Sequence, residues 1–127
     1  MDDSEDNVGR NRRETPASVT NGRAARALVG PIQEKLGAWH AEAVKLDVMI
    51  QRAKTSGRHD PSLAEAVRAL LSVARTQTEL LNTALGDAIP AVRTHSRVTD
   101  TQRVLHILVE RLERLLVELG KPSNKAR

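Results

Sequence analysis

The side chains that could carry out catalysis or bind a metal are few and scattered in this sequence. The four histidines, His40, His59, His95 and His106, have no i, i+4 spacing, and the chain has no cysteine to complete a metal-binding set. No serine lies in a Gly-x-Ser-x-Gly turn, and neither of the usual glycine-rich phosphate-binding motifs occurs. The sequence therefore predicts no catalytic residue, no cofactor and no metal. We expect a protein that is not an enzyme.

Arginine side chains are the remaining groups with a recognisable binding chemistry. Guanidinium groups bind phosphate in a bidentate manner, and a basic segment can follow a nucleic-acid backbone without recognising its base sequence. The candidate nucleic-acid contacts are Arg10, Arg12, Arg13, Arg23 and Arg26. The sequence leaves a second interpretation open, in which these charges only keep the chain in solution.

Positive charge is concentrated in the two flanks of the chain. Residues 10–30 and residues 91–127 each carry a net charge of +4, whereas residues 1–9 carry −4. Positive flanks attract anionic polymers. Because Trp39 is the one aromatic residue, the chain lacks the aromatic surface on which the bases of single strands stack.

The composition predicts an all-α protein of one domain. Hydrophobic residues make up 39% of the 127 residues, yet Phe and Tyr are absent, so the core must be built from aliphatic side chains that suit helices. No run approaches the roughly 20 apolar residues of a membrane span. The acidic N-terminus does not resemble a targeting peptide. We therefore expect a cytoplasmic protein that does not associate with membranes.

Three segments are predicted along the chain: a disordered charged arm over 1–22, a helical bundle over 23–120 and a basic tail over 121–127. The arm is polar and rich in arginine and acidic residues. At the start of that range, residues 23–29 are predicted to form one or two helical turns that end at Gly30. Whether they join the bundle is left open.

Three long helices are predicted, over about 31–56, 62–86 and 99–119. Gly30-Pro31 resembles a helix start, because proline suits the first helical position. The second helix is signalled by Asp60 before Pro61, and a short helical piece is predicted at 90–96. Apolar residues at alternating spacings of three and four run along each helix, and short loops favour antiparallel neighbours. The expected architecture is an up-down-up three-helix bundle of coiled-coil type.

A row of five leucines marks the last of these helices. The row is Leu105, Leu108, Leu112, Leu115 and Leu119. A zipper of the DNA-binding type is disfavoured, because no continuous basic region precedes the row. We expect the row to serve as an oligomer or partner face, with core packing within the bundle as the alternative.

The functional expectation is a self-associating helical adaptor or accessory protein whose basic flanks contact nucleic acid non-specifically. We expect a homo-oligomer. The alternative is a protein-interaction module, such as a regulator or chaperone, that binds another helical protein in an apolar groove without nucleic acid.

Overall fold

The computed structural model describes residues 16–121, and every regular element in that range is a helix. The elements are α1 Pro16–Ser56, α2 Pro61–Gly86, α3 Pro90–Arg93 and α4 Ser96–Gly120. The all-α class is confirmed. The predicted disorder of residues 1–15 and most of the predicted basic tail lie outside the described residues, whereas residues 16–22, also assigned to the arm, belong to α1.

Helix α1 is longer than predicted, because it passes through Gly30 and Pro31 instead of starting there. Proline has no N–H, so the carbonyl of Ala27 loses its usual helical partner. The glycine before the proline reduces the conflict, since the clash that drives a residue out of the helical region before proline involves its Cβ atom. Ala25 and Val29 are completely buried. The predicted start at Pro31 was therefore wrong, because core packing outweighs a local signal.

We expect Pro31→Ala to raise the free energy of unfolding by about 1–2 kcal/mol. Proline in a helix interior costs about 3 kcal/mol, while its restriction of the unfolded chain offsets up to about 1 kcal/mol. Urea denaturation followed by circular dichroism measures the change. If the helix began at Pro31, the substitution would be neutral or destabilising. A midpoint that stays the same or falls would therefore contradict the continuous helix.

The connection between α1 and α2 follows the sequence signals. Gly57 adopts a left-handed φ of 72°, which ends α1 at the predicted place. Asp60 caps α2, and its Oδ1 accepts hydrogen bonds from the Ser62 amide at 3.0 Å and the Ser62 hydroxyl at 2.6 Å. These bonds to the Ser62 side chain and backbone lower the pKa of Asp60. Helix α2 then ends at Gly86, as predicted.

The last long helix starts three residues earlier than the first predicted position at Thr99. His95 is the N-cap, and its Nδ1 accepts a hydrogen bond from the Arg97 amide at 3.2 Å. The Thr99 hydroxyl instead donates to the Ser96 carbonyl at 3.2 Å. The earlier start brings Val98, which is completely buried, into the helix. The short piece predicted at 90–96 is correspondingly reduced to the four residues of α3.

Helices α1 and α4 run in the same direction, because the polar contacts between them advance together along both helices. These contacts are Gln33 with Thr101 at 3.2 Å, Asp47 with Arg111 at 3.6 Å, and Lys54 with Glu118. Hydrogen bonds from Lys54 and Lys121 lower the pKa of Glu118.

Helix α2 runs in the opposite direction to α4. Arg75 lies 2.5 Å from Glu113, and further along α2 the Asn82 side chain accepts a hydrogen bond at 3.4 Å from Gln102, which is earlier in α4. The three long helices contact one another pairwise, and α3 packs on α1. This arrangement fixes which surface each functional side chain occupies.

The core is divided into two clusters along the helices. One lies toward the α1–α2 loop and contains Ile50, Val67 and Leu112 among its residues. The other contains Val29, from the part of α1 before the proline, together with side chains from α2, α3 and α4. Trp39 is half-buried and packs against both clusters.

Candidate nucleic-acid interface

The leucine row is part of the core of the chain itself. Leu105, Leu108, Leu112 and Leu115 are all buried, and Leu119 is half-buried against the same core. Burial against α1 and α2 leaves the first four no surface for another molecule. The expectation that this row is an oligomer or partner face therefore needs correction, and any partner face must lie on other residues.

Two of the five arginines predicted from the sequence fall within the described part of the chain. Arg23 and Arg26 are exposed on the first half of α1. Arg10, Arg12 and Arg13 lie outside the described residues. In sequence, Arg13 precedes the start of α1 by three positions.

The fold brings two further arginines to the same end of the molecule. A Cβ atom at Gly22 would lie 3.8 Å from His95 Nε2, so the junction before α4 packs beside this part of α1. Farther along, Arg97 Nη1 donates to Gln33 Oε1 at 3.5 Å. Arg26 lies between Gly22 and Gln33 in α1 and, seven residues before Gln33, occupies the same side of the helix. It therefore faces the region of α3 and the start of α4.

We call the four exposed arginines of this region the basic end: Arg23, Arg26, Arg93 and Arg97. They lie in two stretches, 16–33 and 88–99, that contain no acidic residue. Among the described residues, none of the four belongs to an ion pair. The amino end of α4 lies here too, and the dipole of the helix adds partial positive charge at that end. Within residues 16–121, the basic end is thus a positive surface whose arginines form no ion pair.

Several other cations of the described chain contact acidic side chains. Lys54 and Lys121 both contact Glu118, Arg75 contacts Glu113, and Arg103 contacts Asp100. Near the α1–α2 loop, the exposed Arg52, Arg58 and Arg68 flank two acidic residues in the sequence, Asp60 and Glu65. This second arginine group therefore provides a matched comparison for the basic end.

Sequence reasoning missed Arg93 and Arg97 as site residues. They belong to the C-terminal flank whose net charge of +4 was visible. That flank, however, also holds Arg111 and Arg114, and nothing local distinguishes the four. The distinguishing feature is proximity to Arg26, which arises from the parallel packing of α1 and α4.

The histidines do not form a metal site within the described residues, where no group of three or more potential metal ligands occurs. His95 caps α4, and His106 lies 3.3 Å from Glu110 on the surface of the same helix. In residues 16–121, none of the helices combines the length and apolar character needed to cross a bilayer.

Comparison with known proteins gives no independent assignment. No protein-family model matches the chain, and no curated protein or solved structure matches it either. Functional inference must therefore come from the surfaces of the molecule.

Several large apolar side chains remain on those surfaces. Val73 and Leu80 of α2 are exposed on the side of the molecule shared with α1, and Leu80 is 58% exposed. A separate group borders the contact between α1 and α4, and it consists of Val44, Val48, Val104 and Ile107. The first group lies on α2, which contributes none of the four arginines of the basic end.

Proposed function

We propose that the chain is a cytoplasmic, non-enzymatic adaptor or accessory protein that contacts nucleic acid through its basic end without recognising base sequence. Its architecture in this proposal is an up-down-up three-helix bundle of coiled-coil type that self-associates. The observation that carries the proposal is the group of four exposed arginines in stretches free of acidic residues. Phosphate groups of a nucleic-acid backbone are the ligands that such a surface fits best.

Two features favour the backbone over the bases as the target. The arginines are distributed over α1, α3 and the start of α4, so no single helix displays them in a row that could enter a groove. Trp39 is half-buried against both core clusters, which removes it as a stacking surface. Contacts to the phosphates alone make binding independent of sequence and strongly dependent on salt.

The proposal predicts that Arg23→Ala, Arg26→Ala and Arg97→Ala together weaken binding to random-sequence duplex DNA by about 10- to 100-fold at low salt. The slope of log K against log salt concentration should become shallower by about 3, one for each lost phosphate contact. Fluorescence anisotropy with a labelled duplex measures both quantities.

The control is the triple replacement of Arg52, Arg58 and Arg68 by Ala, which removes the same charge from exposed positions near the α1–α2 loop. We expect this control to weaken binding by less than about threefold, through net charge alone. Equal losses in the two triple variants would contradict a localised site.

A protein-interaction module is the second candidate function, favoured by the exposed Val73 and Leu80. In that case an apolar face of the bundle binds a helix of another protein, and the arginines only aid solubility. The same titration separates the two candidates. Absence of duplex binding even at low salt would favour the interaction module.

A further inference from the structure

Helix α2 presents an uncharged stripe on its outer side next to α1. The stripe consists of Ala66, Ala69, Val73, Gln77, Leu80 and Ala84, at helical spacings of three and four. The four charged residues within α2 after its first turn, Glu65, Arg68, Arg75 and Glu79, follow a different stripe. Arg75 shows that this charged stripe lies toward α4, since it pairs with Glu113. The uncharged stripe is therefore a distinct face of the molecule.

Helix α1 contributes a matching stripe on the same side. Leu28, Lys35, Glu42 and Met49 follow one another at intervals of seven residues, so they share one side of the helix. We call the two stripes together the α1–α2 face. Lys35 and Glu42 are exposed, and among the described residues neither forms an ion pair.

The register of α1 against α2 follows from the short loop between Ser56 and Pro61, and the composition of the core agrees with it. Ile50, Leu46 and Ala43 share a core cluster with Val67, Leu71 and Ala74. In an antiparallel pair joined by a short loop, residues at the same level along the two helices have numbers with a constant sum. Here the sum is 117, because α1 ends at Ser56 and α2 begins at Pro61. Positions 38 and 39 of α1 therefore lie level with positions 78 and 79 of α2.

We propose that the α1–α2 face binds a second copy of this chain around a two-fold axis. The axis lies in the interface, perpendicular to the helices, and crosses α1 between 38 and 39 and α2 between 78 and 79. The proposal rests on the self-associating part of the proposed function and names the surface that carries it. Each helix then packs antiparallel to its own counterpart, as an isologous interface requires.

Charge complementarity selects this axis. Lys35 and Glu42 are equidistant from it, so each lysine faces the glutamate of the other copy, and the symmetry creates the pair twice. Both charges lack a partner within the described chain, and the second copy provides one. Opposite charges at such positions determine register and partner choice between helices.

The apolar residues agree with the same axis. Leu28 of one copy faces Met49 of the other, and on α2 each large residue faces a smaller or polar one. Leu80 meets Gln77, and Val73 meets Ala84.

The size of the face is adequate for a stable dimer. About this axis the two α1 helices overlap over 21–56 and the two α2 helices over 71–86. At about 1.5 Å per residue and about 10 Å of helix width, these overlaps cover about 800 Å². That area per partner is typical of a specific protein–protein interface of standard size.

The experiment compares Lys35→Glu, Glu42→Lys and their equimolar mixture by sedimentation velocity over a range of concentrations. Each variant alone places like charges opposite one another twice, and we expect its dimer dissociation constant to rise at least about tenfold, equivalent to 1.4 kcal/mol. The mixture restores both opposite-charge pairs in the heterodimer, so it should regain a mass of twice 13.9 kDa. Failure of the mixture to associate more tightly than its components would overturn the proposed axis.

Leu80→Glu and Ile107→Glu test the face itself. Both residues are exposed, at 58% and 48%, so neither change should unfold the chain. We expect Leu80→Glu to give a monomer and Ile107→Glu to retain the wild-type mass. The reverse result, or a wild-type chain that stays monomeric at all concentrations, would overturn the proposal.

These measurements contain no nucleic acid, so their outcome is independent of duplex binding. A dimer that does not bind duplex DNA would contradict only the nucleic-acid part of the proposed function. A monomer that binds duplex DNA would defeat only the inference about the α1–α2 face.

Discussion

Leu112→Asp should abolish the cooperative unfolding transition of the chain at 25 °C. Leu112 has no exposed surface, so the substitution removes the burial of a leucine side chain and leaves a carboxylate without a partner in the core. The combined cost is expected to exceed about 5 kcal/mol, which is comparable with the entire stability of many domains of this size. Circular dichroism during urea denaturation measures the loss.

Leu80→Asp is the matched control for this prediction. The same change at an exposed position of α2 should alter the unfolding free energy of the monomer by less than about 0.5 kcal/mol. The comparison is made at protein concentrations low enough to dissociate any dimer, because association adds to apparent stability. If Leu112→Asp kept a cooperative transition and lowered only the molecular mass, the leucine row would be a partner face and the packing described above would be wrong.

Removal of residues 1–30 should lower the free energy of unfolding by about 3–5 kcal/mol. The deletion removes Val29 and Ala25, which are completely buried, and the half-buried Leu28. Loss of a fully buried aliphatic side chain costs about 1.5–3 kcal/mol, and the exposure of Val92 and Val98 adds to it. Urea denaturation of the shortened chain measures the difference.

A chain that begins at Pro16 is the control, because it retains every described core residue. We expect its unfolding free energy to stay within about 0.5 kcal/mol of the full-length value. Equal stability of the chain that begins at Pro31 would show that the first half of α1 does not contribute to the core.

The helix ends that were predicted correctly are those with strong local signals. Gly57 ends α1 through its left-handed backbone, and Asp60 caps α2 through a side chain that bonds two residues ahead. Helices α2 and α4 end at Gly86 and Gly120, where the sequence placed their ends. Such signals work the same way in any fold. For that reason the limits of α2 and the end of α4 could be derived before the tertiary structure was known.

The start of α1 could not be derived in this way. Gly30-Pro31 favours a helix start at that point. The free energy gained by burying Ala25 and Val29 against α2, α3 and α4 favours a helix that starts earlier, and it outweighs the local signal. This burial depends on residues that are more than 50 positions away in the sequence. The role of the leucine row could not be derived for the same reason. A heptad row has the same sequence pattern whether it packs against helices of its own chain or of another chain.

Only two of the four arginines of the basic end could be predicted from the sequence, for a related reason. Arg23 and Arg26 were identified from a local excess of charge. Arg93 and Arg97 lie near them only because α1 and α4 pack in parallel. The hydrogen bond between Arg97 and Gln33 is one contact of that packing. Charge patterning along the chain identifies a basic flank, but not which of its arginines the fold brings together.

The most direct test of the proposed function is the salt dependence of binding to a random-sequence duplex, measured by fluorescence anisotropy from about 20 to 200 mM salt. We expect a linear fall of log K with log salt concentration, with a slope near −3 to −4 if each arginine of the basic end engages about one phosphate. Unrelated duplex sequences should give the same line. Absence of binding at the lowest salt concentration, or binding whose strength does not change with salt, would contradict nucleic-acid binding through the basic end.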